Sequence, residues 1–317
     1  MLTVNECAAL LRENDGFCLV THVRPDGDTL CSAAALCSAL RRMGKKAALY
    51  RNPDITETYQ PIVEPYLWTE GKRGYTVACD MADITMLPKG FDSASADIDL
   101  AIDHHPKNPG YAKATLLDGG KASCGEIVME LIETLCGDLT PEEAKLLYIA
   151  VSTDTGCFTY GNTKADTLRA AAHMVDCGAE NGALNKQFFR SYSPARIRLE
   201  GLLFSNLQSV RANAVNIAVV TLDMMRQAGA TEDDCEDLAS LPGKVRGNRV
   251  SFLIRELAEG ECKVSVRTDG SVNAAELCAR FGGGGHHMAA GCTLNTDPEI
   301  AALLMQAALD QVWPEEQ

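Results

Sequence analysis

The 317-residue sequence lacks the features that point to secretion or to a membrane. No apolar stretch approaches the roughly 20 residues that a membrane-spanning helix needs. Residues 1–14 resemble an amphipathic helix with charged positions rather than a secretory signal. The 13 cysteines include no CxxC pair, and several, such as Cys18 and Cys79, lie in apolar runs where cysteine acts as a small hydrophobic residue. We therefore expect reduced thiols, a cytoplasmic location and no membrane partner.

Positive charge is also scarce. The chain has 29 lysines and arginines against 43 acidic residues, which gives a formal net charge of −14. General nucleic-acid binders usually carry the opposite sign, so long duplex DNA or RNA is a poor candidate partner. A polyanionic substrate would need a local positive site, built from metal ions or a few arginines. The oligomeric state is left open.

The first half of the chain alternates short apolar runs with helical patterns. Runs of strand length occupy residues 17–21, 47–50, 75–79 and 98–102, and a helix is predicted over 29–43. Capping boxes predict three more helix starts, at Thr3 with Glu6, Ser123 with Glu126 and Thr140 with Glu143. Such alternation predicts an α/β domain with a parallel sheet and helices on both faces.

The second half predicts a smaller α/β domain. Strands are expected near residues 216–222, 250–257 and 262–267, and helices near 273–280 and 298–312. A helix near 193–207 would join the two halves. We place a first domain at 1–188, a linker helix at 189–209 and a second domain at 210–317, since the length suits about two domains of roughly 150 residues.

Acidic and imidazole side chains are concentrated in four short segments. They are residues 22–28 (HVRPDGD), Asp80, residues 103–105 (DHH) and Asp154 in STDTG. Three of them follow predicted strands, at the edge where open α/β sheets bind ligands, and the fourth would end a helix at the same rim. Taken singly, each segment could be a turn or a polar loop with solvated acids; their coincidence favours metal binding.

The mixture of ligands indicates which metal and which chemistry to expect. Carboxylate and imidazole ligands without thiolates favour Mn²⁺ or a similar ion over structural zinc. Two such ions about 3.5–4 Å apart can share a bridging water and lower its pKa, which suits in-line displacement at phosphorus. We therefore expect two divalent metal ions as cofactors.

The sequence resembles the DHH phosphoesterases in the order of four motifs. These are THVRPDGDTLCSAAAL, the strand-end Asp80, DHHP and STDTG. The resemblance implies a first metal ion bound by His22, Asp26 and Asp80. It implies a second metal ion bound by four side chains, with Asp80 bridging both ions: Asp28, Asp80, His104 and Asp154. Catalysis would involve Asp80, His104, His105 and Asp154, with His105 contacting the substrate phosphate. Cys31 stands where the family often has glycine, and either residue is small.

Four consecutive glycines occur in the second half, in the segment RFGGGGHHMAAG. Four glycines form a flexible turn, or they let backbone N–H groups approach an anion closely. The segment resembles the GGGHxxAAG signature of the DHH-associated domain, with KVSVRTDGSVN as its companion strand. The resemblance implies that this domain, across a cleft from the metals, holds the terminal nucleotide through Arg267, Gly283, Gly284, Gly285 and His286. Surface solvation would explain four further candidates equally well: Arg24, Arg249, Arg255 and His287.

The pairing of both domains resembles the group of bifunctional oligoribonucleases and pAp phosphatases. It implies Mn²⁺-dependent two-metal hydrolysis of short oligoribonucleotides or of 3′-phosphoadenosine 5′-phosphate (pAp), with a metal-activated bridging water attacking phosphorus. A phosphodiesterase for cyclic di-AMP or pApA is the main alternative, because it uses the same two domains. A family II pyrophosphatase would lack the GGGH segment, and a RecJ-type exonuclease is disfavoured by the length and the acidic charge. A non-catalytic nucleotide sensor would have lost metal ligands, and all of them are present.

Overall fold

A computed structural model of the chain describes residues 1–68, 74–91, 97–235 and 237–313. The chain forms two compact units, Met1–Ser191 and Tyr192–Gln317. In these described ranges, no helix combines the length and the apolar character that crossing a membrane requires. The boundaries at residues 188 and 209 stay a prediction, and the helix expected near 193–207 forms part of the second unit.

The first unit alternates helices and strands along its whole length. Its elements are α1 (Val4–Glu13), β1 (Phe17–Val20), α2 (Gly27–Arg42), β2 (Ala47–Leu49), α3 (Gln60–Val63), β3 (Thr76–Cys79), β4 (Leu100–Asp103), β5 (Ala114–Leu117), α4 (Cys124–Cys136), α5 (Pro141–Asp154), α6 (Ala165–Asp176) and α7 (Asn181–Phe189). The strands form a wholly parallel sheet in the order β2-β1-β3-β4-β5. The predicted α/β class and parallel sheet are therefore confirmed, and β5 extends the sheet by a strand that was not predicted.

The parallel sheet is buried on both faces, as is usual for parallel strands. Phe17 and Leu19 of β1 pack into the main core with residues of α1, α2, α4 and α5, whereas Cys18 and Val20 pack on the opposite face. The sequence predicts helices on both faces. Within the described ranges, the cover of this second face consists of a short 3-10 turn, Ile84–Met86, and loop side chains such as Phe91.

The second unit has a mixed sheet. Its elements are α8 (Pro194–Ser205), β6 (Gln208–Val210), β7 (Val215–Val220), α9 (Leu222–Ala228), β8 (Val250–Ala258), β9 (Glu261–Thr268), α10 (Ala274–Ala279), β10 (Gly284–Gly285), β11 (Ala289–Leu294) and α11 (Pro298–Val312). The strand order is β10-β11-β9-β8-β7-β6, in which only the pair β7 and β8 is parallel. Helices α10 and α11 pack on one face, and α8 and α9 pack on the other.

Two of the three predicted capping boxes form. Thr3 and Glu6 cap α1, and Thr140 and Glu143 cap α5. The third is wrong: α4 begins after Ser123, but Ser123 makes no capping hydrogen bond. The first N–H groups of α4 donate instead to the carboxylate of Asp28, which lies 96 residues away in sequence. This long-range contact ties the start of α4 to the start of α2.

Candidate metal centre

Strand ends position half of the predicted ligands. His22 lies two residues after β1, and Asp80 and His104 directly follow β3 and β4. Because β3 is the middle strand and β1 and β4 are its neighbours, Asp80 is flanked by the two histidines. The parallel direction of the strands brings all three side chains to the carboxyl edge of the sheet.

Helix ends position the other half. Asp26 is the N-cap of α2, and its Oδ1 accepts hydrogen bonds from the backbone N–H groups of Asp28 and Thr29. Asp28 lies in the first turn of α2, and Asp154 is the last residue of α5. The structure thus brings all six predicted ligands to one edge of the first unit.

The ligand atoms form three overlapping groups, in each of which all atoms lie within 4.8 Å of one another. The groups are His22, Asp26 and Asp80; Asp28, His104 and Asp154; and Asp80, His104 and His105. His22 Nε2 lies 3.8 Å from Asp26 Oδ1 and 3.9 Å from Asp80 Oδ2. His104 Nε2 lies 3.3 Å from Asp80 Oδ1, 3.7 Å from Asp154 Oδ2 and 3.9 Å from Asp28 Oδ2. Asp80 therefore presents one oxygen to each histidine, which is the arrangement that a bridging ligand needs.

Asp80 has two further features that fit a cation. Its backbone lies in the left-handed region, with φ of 53°, a conformation that few residues other than glycine, asparagine and aspartate adopt readily. Its side chain is buried, and Oδ1 accepts no hydrogen bond from any described residue. A buried carboxylate oxygen without a donor is costly, and a bound cation would satisfy it. The donor set and this unsatisfied oxygen together fit a metal site.

The pKa values show how strongly the acids oppose one another. Burial, together with the charges of Asp80 and Asp154, raises the pKa of Asp28 well above its usual range. Burial also raises the pKa of Asp154 to about 7. Burial alone would lower the pKa of a histidine, but the adjoining carboxylates outweigh it and raise the pKa of His22 to about 9 and that of His104 to about 10. Without cations, the cluster must bind protons to limit its own repulsion.

Asp28 is held in place by both helices that meet beside it. Its Oδ1 accepts hydrogen bonds from Ser32 Oγ and Gly125 N, both at 3.0 Å, and its Oδ2 accepts one from Cys124 N at 2.7 Å. A carboxylate has about four acceptor positions, so Oδ2 keeps capacity for a metal ion. The supporting residues were not predicted, because nothing in the local sequence pairs Asp28 with residues 124 and 125.

His105 is oriented by a pair that was not predicted as part of the site. Asp103 Oδ1 lies 2.7 Å from His105 Nδ1, and Asn108 Nδ2 donates to Asp103 Oδ2 at 2.6 Å. Burial raises the pKa of Asp103, but these hydrogen bonds outweigh it and hold the pKa below its usual value, so Asp103 is an anion and His105 Nδ1 is the donor. The DHH motif, of which Asp103 is the first residue, could have indicated a role for Asp103. No motif in the sequence indicates a role for Asn108.

The backbone at His22 has its own support. Asn52, which is buried, donates to the carbonyl oxygen of His22 at 2.8 Å and to Thr21 Oγ1 at 3.1 Å. In the sequence, Asn52 precedes a proline after a predicted strand and suggests only a turn. Its role depends on the parallel pairing of β1 with β2, which places residues 30 positions apart side by side.

The glycine-rich segment forms a tight hairpin in the second unit. Gly284 and Gly285 pair with β11, and His286 N donates to Ala289 O at 2.7 Å. A side chain at Gly283 would collide with the carbonyl of Gly291, and one at Gly285 would lie 2.6 Å from Ala289 O. Close packing therefore explains these two glycines, whereas a side chain at Gly284 would meet no atom within 4 Å.

The other predicted substrate residues lie near this hairpin. His286 is exposed at its turn, and Arg267 lies on β9 opposite Ala289. Three of the further candidates have protein partners: Arg249 with Asp269 at 3.3 Å, Arg255 with Glu232 at 2.6 Å and His287 with Gly270 O at 3.1 Å. Arg24 is exposed in the first unit.

Comparison with known proteins supports both halves of this description. The DHH family, N-terminal domain, matches residues 17–151, and the DHHA1 domain matches residues 214–313. The bifunctional oligoribonuclease and PAP phosphatase NrnA of Thermus thermophilus is 34% identical over 284 residues, which are 87% of this chain and 83% of that protein. The chain belongs to the DHH family of phosphoesterases. It is therefore a hydrolase that acts on phosphoester bonds, as the motifs predict.

Two further relatives cover nearly the whole chain. The protein of the same name from Bacillus subtilis is 25% identical over 92% of this chain and 93% of its own. The crystal structure of an exopolyphosphatase-related protein from Bacteroides fragilis has a TM-score of 0.89 at 22% identity, and the match covers 97% of this chain and 95% of that one. This structural likeness confirms the fold of a DHH protein.

The position of Asp80 generates a prediction about metal stoichiometry. We expect the purified DHH protein to bind two Mn²⁺ per chain and the Asp80→Ala variant to lose affinity at both sites, because each Asp80 oxygen faces a different histidine. Titration calorimetry of the metal-free proteins measures both sites. Asp166→Ala, which removes an exposed acid from α6, is the matched control. One site of unchanged affinity in Asp80→Ala would exclude bridging.

The raised histidine pKa values generate a second prediction. Both imidazoles are protonated at neutral pH in the metal-free protein, because the pKa values of His22 and His104 are about 9 and about 10. A nitrogen that binds a metal ion must lose its proton, so we expect proton release on binding and an apparent Mn²⁺ affinity that rises from pH about 6 to about 9. Calorimetry in two buffers of different protonation enthalpy measures the release. An affinity that is constant over this range would contradict the shifts.

Proposed function

We propose that this DHH phosphoesterase hydrolyses short oligoribonucleotides and pAp with the help of two divalent cations, of which Mn²⁺ is the best match to the ligands. Two relatives, from Thermus thermophilus and Bacillus subtilis, are named bifunctional oligoribonuclease and PAP phosphatase. The matches cover 83% and 93% of the relatives' lengths and 87% and 92% of this chain, so the similarity extends into both of its units. These names support the substrate class.

The observation that carries the two-cation proposal is the position of the Asp80 carboxylate. Its two oxygens lie within 4 Å of His22 and His104, which belong to different ligand groups. When bound, a pair of divalent cations supplies a water molecule of lowered pKa and a positive clamp for in-line displacement at phosphorus. The ligand set of carboxylates and imidazoles, without a thiolate, supports Mn²⁺.

We assign the remaining steps to residues of both units. Asp103 holds the His105 ring in one orientation, and the adjoining carboxylates raise the pKa of His105 above its usual value despite burial, so the protonated ring can donate to a phosphate oxygen. Recognition of the terminal nucleotide is assigned to Arg267, His286 and the open backbone at Gly284. Charge-assisted hydrogen bonds from such groups grip a phosphate strongly.

Substrate length is the first test of this proposal. We expect turnover of 5′-labelled RNAs at fixed Mn²⁺ to fall steeply from the dinucleotide to a 24-mer, because a chain with a net charge of −14 repels a long polyanion. Chromatographic separation of the products measures the rates, and pAp, pApA and cyclic di-AMP belong in the same panel. Equal rates on the 24-mer and on the dinucleotide would refute the short-substrate proposal. Turnover of cyclic di-AMP alone would replace it with the alternative phosphodiesterase activity.

The separate roles proposed for the two units, catalysis in the first and nucleotide binding in the second, provide the second test. We expect Asp154→Asn to abolish turnover of every substrate, and His286→Ala to impair pAp hydrolysis while sparing the small diester bis-p-nitrophenyl phosphate. The reason is that a contact remote from the reacting bond matters only for substrates long enough to reach it. His173→Ala, which removes a surface histidine of α6, is the control. Equal losses on both substrates in His286→Ala would place His286 in the chemistry instead.

A further inference from the structure

A cluster of positive charge lies outside the site described above. The segment before β8, residues 243–249 (GKVRGNR), comprises the end of a 3-10 helix (Leu238–Lys244) and the loop after it, and it carries three cations and no acid in a chain whose net charge is −14. We call it the basic loop. Lys244 and Arg246 are exposed, and neither lies within 4.0 Å of a carboxylate of another described residue. Burial raises the pKa of Asp237, and the charge of Lys244, like that of Arg267, acts to lower it. Arg249 makes contacts within the protein: it forms an ion pair with Asp269, and its guanidinium lies 4.9 Å from the ring centre of Trp313.

The basic loop lies at the same end of the second sheet as the predicted phosphate-binding residues. It leads directly into β8, where Ser251 pairs with Arg267 of β9. Arg267 in turn pairs with Ala289, the last residue of the hairpin turn that contains His286. Strands β8 and β11 are separated only by β9, so the two backbones lie about 10 Å apart. One ligand of the size of a trinucleotide can therefore reach both.

A buried polar network holds the basic loop in one shape. Asn216 of β7 is completely buried, and its Nδ2 donates to Asn248 Oδ1 at 2.7 Å and to Asn213 O at 2.8 Å. Its Oδ1 accepts a hydrogen bond from Ser209 Oγ at 2.6 Å. An asparagine in a sheet interior is tolerated only when its polar atoms have partners, and here one partner belongs to the loop. These hydrogen bonds thus anchor the basic loop to the sheet.

A tight turn fixes the cation at the tip of the loop. Asn248 N donates to Val245 O at 3.1 Å, which closes a four-residue turn. Gly247, at its third position, has φ of 90°, the left-handed value that glycine supplies in a type II turn. Arg246 therefore occupies the second position, at the apex. Because the backbone of this apex is already fixed, binding of an anion would restrict only the side chain of Arg246.

We propose that the basic loop is a second phosphate-binding site, which takes an internucleotide phosphate farther from the terminal nucleotide of a short RNA than the one that is hydrolysed, with Lys244 and Arg246 as its cations. This inference rests on the proposed function, because the occupant is the chain that continues from the nucleotide held by Arg267 and His286. A single nucleotide such as pAp ends before the loop. The basic loop thus distinguishes oligonucleotides from pAp, a specificity that the metal centre cannot provide.

The test is the double variant Lys244→Ala/Arg246→Ala. We expect its kcat/KM on RNAs of three to five nucleotides to fall about tenfold and its kcat/KM on pAp to stay within about twofold of the original value. Binding of a labelled trinucleotide to the metal-free protein, measured by fluorescence anisotropy against salt, should lose about 0.7 of slope for each phosphate contact removed. Thermal unfolding at an unchanged temperature verifies that the variant is folded.

Two controls separate this site from general electrostatics. Arg169→Ala/Arg226→Ala removes two exposed cations elsewhere and changes the net charge equally, so it should leave RNA turnover and the salt slope unchanged. Lys244→Arg/Arg246→Lys keeps both charges and should restore most of the RNA activity. Equal losses on pAp and RNA in the alanine variant, or an unchanged salt slope, would overturn the basic-loop proposal. If the unmodified protein cleaved neither substrate, the proposed function would fail, while the binding experiment would still decide the role of the loop.

Discussion

Repulsion among the carboxylates at the sheet edge is the constraint that shapes the first unit. Asp80 lies on the middle strand, between the strands that carry His22 and His104, and its two oxygens face the two imidazoles. Asp26, Asp28 and Asp154 are added from helix ends. So many acids in one place are stable only with protons or cations, and the raised pKa values of Asp28 and Asp154 measure that cost. The geometry of the fold and its affinity for cations therefore have one origin.

The helices of the first unit serve the same constraint. The carboxylate of Asp28 accepts hydrogen bonds from two backbone N–H groups at the start of α4, where the positive end of the helix dipole favours an anion. Asp26 caps α2 in the same way with its Oδ1. Both acids thus gain hydrogen bonds, which for Asp28 offset part of the cost of burial, and each keeps a position for a metal ion. Loss of one of these hydrogen bonds would move a predicted metal ligand without changing its side chain. The residues that provide the hydrogen bonds therefore contribute to the site.

The sequence predicts those parts of the fold and site that depend on local patterns. The four apolar runs became β1 to β4 and the motif residues met at one edge, because parallel strands must bring their carboxyl ends together. Contacts between distant residues could not be predicted. The box of Ser123 and Glu126 has the right local pattern, yet Asp28 takes the N–H groups that Ser123 would have capped. Strand β10 has only two glycines, whose strand conformation comes entirely from pairing with β11.

The two units meet opposite electrostatic demands within one acidic chain. The first gathers carboxylates into candidate metal-binding groups, whereas the second presents fixed cations, Arg267 and the basic loop, at one end of its sheet. A net charge of −14 is therefore compatible with an anionic substrate, because recognition depends on the local sign of the charge. In the proposed function, the same net charge would disfavour long substrates, because phosphates beyond the fixed cations would be repelled by an acidic chain. The proposed selectivity for short chains would then need no steric barrier, since it would follow from how few phosphates of the ligand are neutralised.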